Sequence, residues 1–434
     1  MTDMSEYKET GMSWLPRGWK VQRLSALTKS FAGGTPSRSN PEYFGGDIPW
    51  VKSGEINLRK ITKTEEYITE KALSASSAKV AESGAVLVAM YGATAGKVAR
   101  LYIDAAINQA VLSIRACGND IDNEFLFWLM ESHTQKLLSL CQGAAQPNLS
   151  KGLIDGIEVA VPPLNEQLKI AAILTAVDDK LDIISRKIAA TQALKQGLMQ
   201  TLFSRGVGVK NSNAHWVPHT VFNNSELGEI PDLWEVKKIS DVLNVIERPI
   251  KMADDQLYRR VTVKRRHGSV VLRDQLLGFD IKVKNQFLLE TGDFLISERQ
   301  IVHGACGIVP EHLAGALVSN EYLVLLPKED FDINYFNYLV QTIKYAKLFF
   351  ICSQGVDIEK FLFKYKDWFK QRIPVPPLAE QKRIADILVT TEQKIQALQN
   401  KLLAYQTLKR GLMQKLLTGE WRVKLDDSTP TTEQ

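Results

Sequence analysis

The chain has 434 residues, with 54 Lys and Arg against 49 Asp and Glu, a net charge of +5. That length admits roughly two to four domains, the 45% apolar content is ordinary for a globular chain, and the near balance of charge excludes a polycation. Any nucleic acid must therefore be met by local patches; no apolar run approaches the roughly 18 residues of a membrane span, the opening MTDMSEYKET is no signal peptide, and four scattered cysteines without CxxC or metal-ligand spacing fit a reducing, cytoplasmic setting.

Residues 1–12 are polar, and SWLPRGWKVQRLSAL (13–27) opens the first unit. From 28 to 115, short β-type runs alternate with Gly, Pro, Ser and Asn: GGTPS (33–37), IPWV (48–51), AVLVAMYG (85–92), KVARLYI (97–103) and AVLSIR (110–115). A helical stretch, FLFWLMESHTQKLL (125–138), and a loop, GAAQPNLS (143–150), end this body. VPPL (161–164) then stops extended chain before a long helix, because proline biases its predecessor away from helix. Asn165 is expected to cap that helix, whereas Ala379 cannot cap its counterpart.

The same order follows a second time. GEIPDLWEVKKISDV (228–242) reopens it, with VTVK (261–264), FLIS (294–297), CGIVP (306–310) and EYLVLLP (321–327) as strands. INYFNYLVQTIKYAKLF (333–349) is the second helical stretch, and SQGVDIEK (353–360) the loop after it. SGAVLVAM pairs with TGDFLISE and Asn108 with Asn320. Residues 161–202 and 375–416 align without a gap at an offset of 214, and 21 of the 42 pairs are identical. Such a match marks a tandem duplication of one unit of about 215 residues.

Both long helices carry an a/d seam at coiled-coil spacing. The first seam runs Ile170, Leu174, Val177, Leu181, Ile184, Ile188, Thr191, Lys195, Leu198, Leu202. The second runs Ile384, Leu388, Thr391, Ile395, Leu398, Leu402, Tyr405, Lys409, Leu412, Leu416. Gly197 and Gly411 fall at the same point, although glycine inside a helix costs about 1 kcal/mol against alanine; close backbone approach or a local break is the expected reason. The fold class is α+β: two mixed α/β bodies separated by two long antiparallel coiled-coil helices, a pseudo-two-fold tandem repeat. A rod of 166–202 is about 55 Å long, a spacer between two binding heads.

This order, a variable body and a VPPLxEQ helix twice over, resembles the specificity subunit of type I restriction–modification enzymes. GGTPSRSNPEYFGGDIPWVKSGEI (33–56), YGATAGKVA (91–99), INQAV (107–111) and QPNLS (146–150) look like landmarks of that family's target-recognition domain; the second body has neither GGTP nor QPNLS. The resemblance implies recognition domain 1 at 13–160, spacer helix 1 at 161–205, a linker and recognition domain 2 at 206–374, spacer helix 2 at 375–418 and a tail at 419–434. It further implies a non-catalytic chain in which each recognition domain reads half of a bipartite double-stranded DNA site. The helices would set the gap and dock two modification (methyltransferase) subunits, with restriction (translocase and nuclease) subunits added. No cofactor is expected in this chain; S-adenosylmethionine, ATP and Mg would reside in the partners.

Fragments that mimic catalytic motifs are weaker. GATAGKV (92–98) has its glycines too close for a phosphate loop and Val98 where Ser or Thr would bind magnesium. NPEY (40–43) lacks the second proline of an amino-methyltransferase motif, and His215 and His219 flank Pro218 without a following Glu, so no metal is expected. The alternative reading is a self-contained DNA methyltransferase or nuclease with its own recognition domains.

The sharpest charge feature is Arg259, Arg260, Lys264, Arg265 and Arg266, suited to phosphate contacts on a hairpin; a solvated hairpin face is the bland account of it. In the first body Arg38, Lys52, Ser53, Tyr91, Thr94 and Lys97 sit on polar loops expected to face the groove. Ser297, Arg299, Gln300 and His303 occupy the equivalent loop of the second, and Arg299 and Gln300 suit base edges. Gln146, Asn148 and Gln354 follow the helical stretches, where turn capping accounts for them equally well.

Overall fold

The computed structural model describes residues 7–10, 14–139, 148–358 and 361–425. The chain divides into two compact units: Met1–Ser185 with Asn400–Gln434, and Arg186–Gln399. Each unit therefore holds a recognition-type body and one half of each long helix.

The body of the first unit has nine strands in two sheets. They are β1 (Thr28–Ala32), β2 (Phe44–Val51), β3 (Lys60–Ile61), β4 (Glu66–Ile68), β5 (Lys79–Ala81), β6 (Val86–Ala89), β7 (Val98–Leu101), β8 (Ala105–Ile107) and β9 (Val111–Ala116). One sheet has the order β1-β9-β6-β7-β3 and the other β4-β2-β8-β5. All four residues of β6 are buried, as a strand covered on both faces requires. Val86, Val88, Leu112 and Ile114 pack with Phe125, Leu126 and Leu129 of helix α1 (Asn123–Ser139). Leu87, Ala89 and Val111 on the opposite face pack with Val51, Ile107 and Ala105 of the second sheet. Helix, sheet and sheet form three layers.

The second unit repeats this plan with β10 (Leu243–Val245), β11 (Leu257–Val263), β12 (Val270–Leu277), β13 (Gln286–Leu288), β14 (Phe294–Ser297), β15 (Cys306–Ile308), β16 (Leu317–Ser319) and β17 (Tyr322–Pro327). Its sheets run β10-β17-β14-β15 and β12-β11-β16-β13. The parallel pair β2·β8 recurs as β11·β16, so Asn108 and Asn320 both follow the returning strand of that pair. The expected helix 333–349 is two pieces, Ile333–Leu339 and Ile343–Ile351. Thr342 is extended, and its hydroxyl donates to the Leu339 carbonyl at 2.7 Å, a side-chain bond that competes with the helix ladder.

GGTPS forms no strand at 33–37. Gly33 and Gly34 instead bring the backbone onto neighbouring segments: a Cβ on Gly33 would lie 1.8 Å from the Ile107 carbonyl oxygen, and one on Gly34 2.2 Å from Ser77 Oγ. Contact with other backbone, rather than pairing, makes both glycines necessary.

Helices α2 (Leu164–Arg205) and α3 (Leu378–Leu416) have 42 and 39 residues, about 63 and 58 Å at 1.5 Å per residue. Every seam position named above is buried or half-buried. In the first unit Ile170 and Leu174 of α2 share a core with Leu412 and Leu416 of α3. In the second, Leu202 shares one with Ile384 and Leu388. Within each unit the two halves thus run antiparallel.

Two expectations about these helices fail. Asn165 is the second helical residue rather than the cap, and its Oδ1 accepts from the adjacent Glu166 amide. The Pro163 carbonyl takes the Glu166 and Gln167 amides, as the Pro377 carbonyl takes those of Glu380 and Gln381; backbone does the capping, so Ala379 costs nothing there. Gly197 and Gly411 are exposed, unbroken helix, with no heavy atom within 4 Å of a built Cβ. Neither a break nor a close approach within the chain explains them.

Candidate nucleic-acid interface

In the second unit β11 and β12 make a hairpin whose tip, 264–269, leans on the loop between β14 and β15. Arg266, His267 and Ser269 take positive φ angles of 58°, 54° and 71°. That conformation is uncommon outside glycine and marks a site held by its surroundings. The Arg266 amide donates to the His303 carbonyl at 2.7 Å and the His267 amide to that of Gly304 at 2.8 Å. Arg265 Nε donates to Gln300 Oε1 at 2.8 Å. Gly304 must be glycine, since a Cβ would come within 2.9 Å of the His267 ring. Burial, then Lys195, pushes the His267 imidazole below its usual range, favouring the neutral ring beneath an exposed trio of Lys264, Arg265 and Arg266.

The five-cation cluster expected from sequence divides in two. Arg259 donates to the His312 and Ala314 carbonyls at 2.9 and 2.6 Å, and Arg260 holds Asp274 through two bonds of 2.8 and 2.7 Å. A register shift between Arg260 and Val261 accompanies this half-buried pair, which the structure commits to its own unit. Ser297 is buried at the end of β14, Arg299 is exposed and bonded to Glu321 at 2.7 Å, and His303 is half-buried. Gln354 is exposed, on a separate two-residue ribbon with Leu362.

In the first unit the equivalent loop, 90–97 between β6 and β7, carries Tyr91, Thr94 and Lys97. Lys97 Nζ donates to Asn57 Oδ1 at 2.6 Å, joining this loop to the turn Ser53–Leu58 in which Ser53 is half-buried. Tyr91 bridges Asn148, and burial raises its phenol above the usual range. Thr94 is buried, so it supports the turn instead of facing outward. Arg38 and Lys52 reach one carboxylate, Glu66, at 2.8 and 2.9 Å. Gln146 lies outside the described residues.

Sequence reasoning passed over the joint between body and helices. Glu166, fully buried, accepts from Trp19 Nε1 at 3.1 Å and from Arg422 at 2.7 and 3.0 Å. Its repeat mate Glu380 accepts from Trp234 Nε1 at 2.9 Å, from His219 at 3.0 Å and from the Val207 and Gly208 amides. The next residues match as well: Gln167 bonds the Pro162 and Asp120 carbonyls and the Asp122 amide, and Gln381 bonds those of Pro376, Asp330 and Asp332. Lys409 pairs with Asp178 at 2.7 Å, while its mate Lys195 pairs with Glu392, the mate of Asp178. Arg59, at a left-handed φ of 62°, bonds Glu131 and Asp178 in the first unit. Identical polar residues at the repeat offset were the available signal. Among the described residues no group of three or more His, Cys, Asp or Glu could hold a metal, and no helix is long and apolar enough to cross a membrane.

A family model described as the type I restriction modification DNA specificity domain matches residues 16–192 and again 231–404. A Methanocaldococcus jannaschii protein named type I restriction enzyme MjaVIII specificity subunit is 24% identical over 436 residues, covering 96% of both chains. Among solved structures, an S subunit of a type I restriction–modification system from M. genitalium covers 92% of this chain and 96% of its own, with TM-score 0.58 and 14% identity. A chain from a structure concerned with complex assembly and conformational transition of the type I R-M system covers 94% and 99%, with TM-score 0.52 and 20% identity.

Proposed function

The chain belongs to the family of type I restriction modification DNA specificity domains, and on that premise we propose that each of its two recognition domains reads one half of a split double-stranded DNA site. It is a specificity subunit with two recognition domains. The alternative of a self-contained methyltransferase or nuclease finds no support among relatives named as specificity subunits. In this reading the chain catalyses nothing itself. Two modification subunits dock on the paired helices and bring S-adenosylmethionine chemistry, and restriction subunits add ATP- and Mg-dependent translocation and cleavage.

The observation that supports half-site reading most directly is the composite face of the second unit. Two loops from different strands are locked together by backbone bonds, and they present Lys264, Arg265 and Arg266 outward beside Gln300. Cations of this kind position phosphates, and a guanidinium or amide at the same place reads base edges. A Lys264→Ala, Arg266→Ala double variant, assembled with modification subunits, is expected to lower the slope of log K against log salt by about two. Footprinting of the wild-type assembly is expected to protect two separated half-sites. Protection of one block only, or equal affinity for random duplex, would overturn the reading.

A further inference from the structure

In the first unit, two loops aim cations at one point. Arg38 comes from the 33–43 loop, whose backbone is pressed onto Ile107 and Ser77 at Gly33 and Gly34. Its guanidinium lies 4.5 Å from the centre of the Phe44 ring and 5.3 Å from that of Trp50, where cation–π attraction fixes its plane. Lys52 follows β2 and reaches the other oxygen of the same carboxylate. Both meet the Glu66 carboxylate, at 2.8 and 2.9 Å, and Lys52 also reaches Glu65 at 3.0 Å. Glu66 is the register partner of Trp50 at the start of β4, so strand pairing holds the carboxylate between the two cations. Arg38, then Lys52, keep its carboxyl below the usual carboxylate range.

A guanidinium and an ammonium converging on one pair of oxygens is an arrangement that suits a phosphodiester as well as a carboxylate. We propose that Arg38 and Lys52 form a single clamp for a DNA phosphate, and that Glu66 occupies this clamp in the free protein as a counter-charge that the phosphate displaces. The proposal rests on the first unit being a DNA-recognition domain. Its consequence is a lower affinity for duplex of any sequence. Every duplex must break both pairs to gain one phosphate contact, and that cost is common to random and cognate DNA; at a cognate half-site the base contacts offset it. The second unit differs, because neither Lys264 nor Arg266 forms an ion pair with a described carboxylate. Glu66 is therefore a residue that competes with the ligand and sets the threshold that DNA contacts elsewhere must exceed.

The test uses full-length chain assembled with modification subunits and two duplexes, the complete split site and the same duplex with the first half-site scrambled. Glu66→Gln is expected to tighten binding to both duplexes by about fivefold, with their ratio kept. Glu66→Asp keeps the charge and is expected to stay near the wild-type affinities. Arg38→Ala and Lys52→Ala together should lower the salt slope by about one. If Glu66→Gln weakens binding or leaves both affinities unchanged at an unaltered melting temperature, the counter-charge idea is wrong. If Arg38→Ala and Lys52→Ala leave the slope intact while both half-sites stay protected, the clamp falls and half-site reading stands. A wild-type assembly without preference for the split site removes the reading itself.

Discussion

Asp178 shows how a single side chain joins a recognition body to the paired helices. It is buried, and it receives Arg59 from the body and Lys409 from α3 within the first unit. Burial by itself would raise its pKa, but Arg59 and Lys409 outweigh it and hold the carboxyl below its usual range. A depressed carboxylate stabilises the fold above its unfolded pKa of about 3.9, and that stabilisation fades as pH falls through the lower folded value. Wild-type stability, followed by urea denaturation, is therefore expected to drop below about pH 4. Asp178→Asn should start about 3 kcal/mol less stable at neutral pH, because Arg59 and Lys409 lose their buried partner, and should show a shallower acid slope. An unchanged slope would assign the acid response elsewhere.

The long helices are built from two kinds of position. Seam residues such as Ile170, Leu174, Ile384 and Leu388 are buried at the ends, where each body packs on them, and Val177, Leu181, Ile395 and Leu398 are half-buried farther along. The lysines that interrupt the seam are not defects, since Lys195 and Lys409 each meet an acid of the facing helix half. Gly197 and Gly411 remain, exposed and in contact with nothing a Cβ would touch. Replacing both with alanine is expected to stabilise the isolated chain by up to about 1 kcal/mol per site, read as a rise in melting temperature. A fall would mean that these helical segments need glycine in a way that their geometry does not reveal.

At the scale of the whole molecule, the duplication supplies two recognition domains, and the proposed function gives the helices the spacing of the two half-sites. The stretch between the repeat-related ion pairs, 179–194 on α2 and 393–408 on α3, can be shortened by one heptad in both copies without removing either pair. Deleting 182–188 together with 396–402 keeps the seam in phase. It removes about 10 Å of helix at 1.5 Å per residue, which corresponds to about three base pairs at 3.4 Å each. The methylated site of cells carrying this variant is expected to keep both half-sites with a gap about three base pairs shorter. Altered half-site identity with an unchanged gap would refute the spacer role.

Much of this was legible in the residues alone. A period of 3.5 in Ile170–Leu202 and an offset of 214 between VPPLNEQ and VPPLAEQ are local and one-dimensional, so helices, duplication and family resemblance followed without coordinates. The strands Val86–Ala89 and Phe294–Ser297 were equally plain as apolar β-type runs, although Ser297, expected on an outward loop, is buried. What the sequence could not decide is which polar groups face outward. Arg260 and Arg266 lie six residues apart in one basic run, yet one is locked on Asp274 and the other is exposed at a hairpin tip. The difference depends on a register shift and on a carbonyl of a loop nearly 40 residues away. Glu166 and Glu380 likewise read as helix-start carboxylates until folding brings Trp19 and Arg422, or Trp234 and His219, onto them. Periodicity is a property of neighbours in the chain and survives in the sequence. The pairing of charges is a property of neighbours in space, and only the tertiary structure decides it.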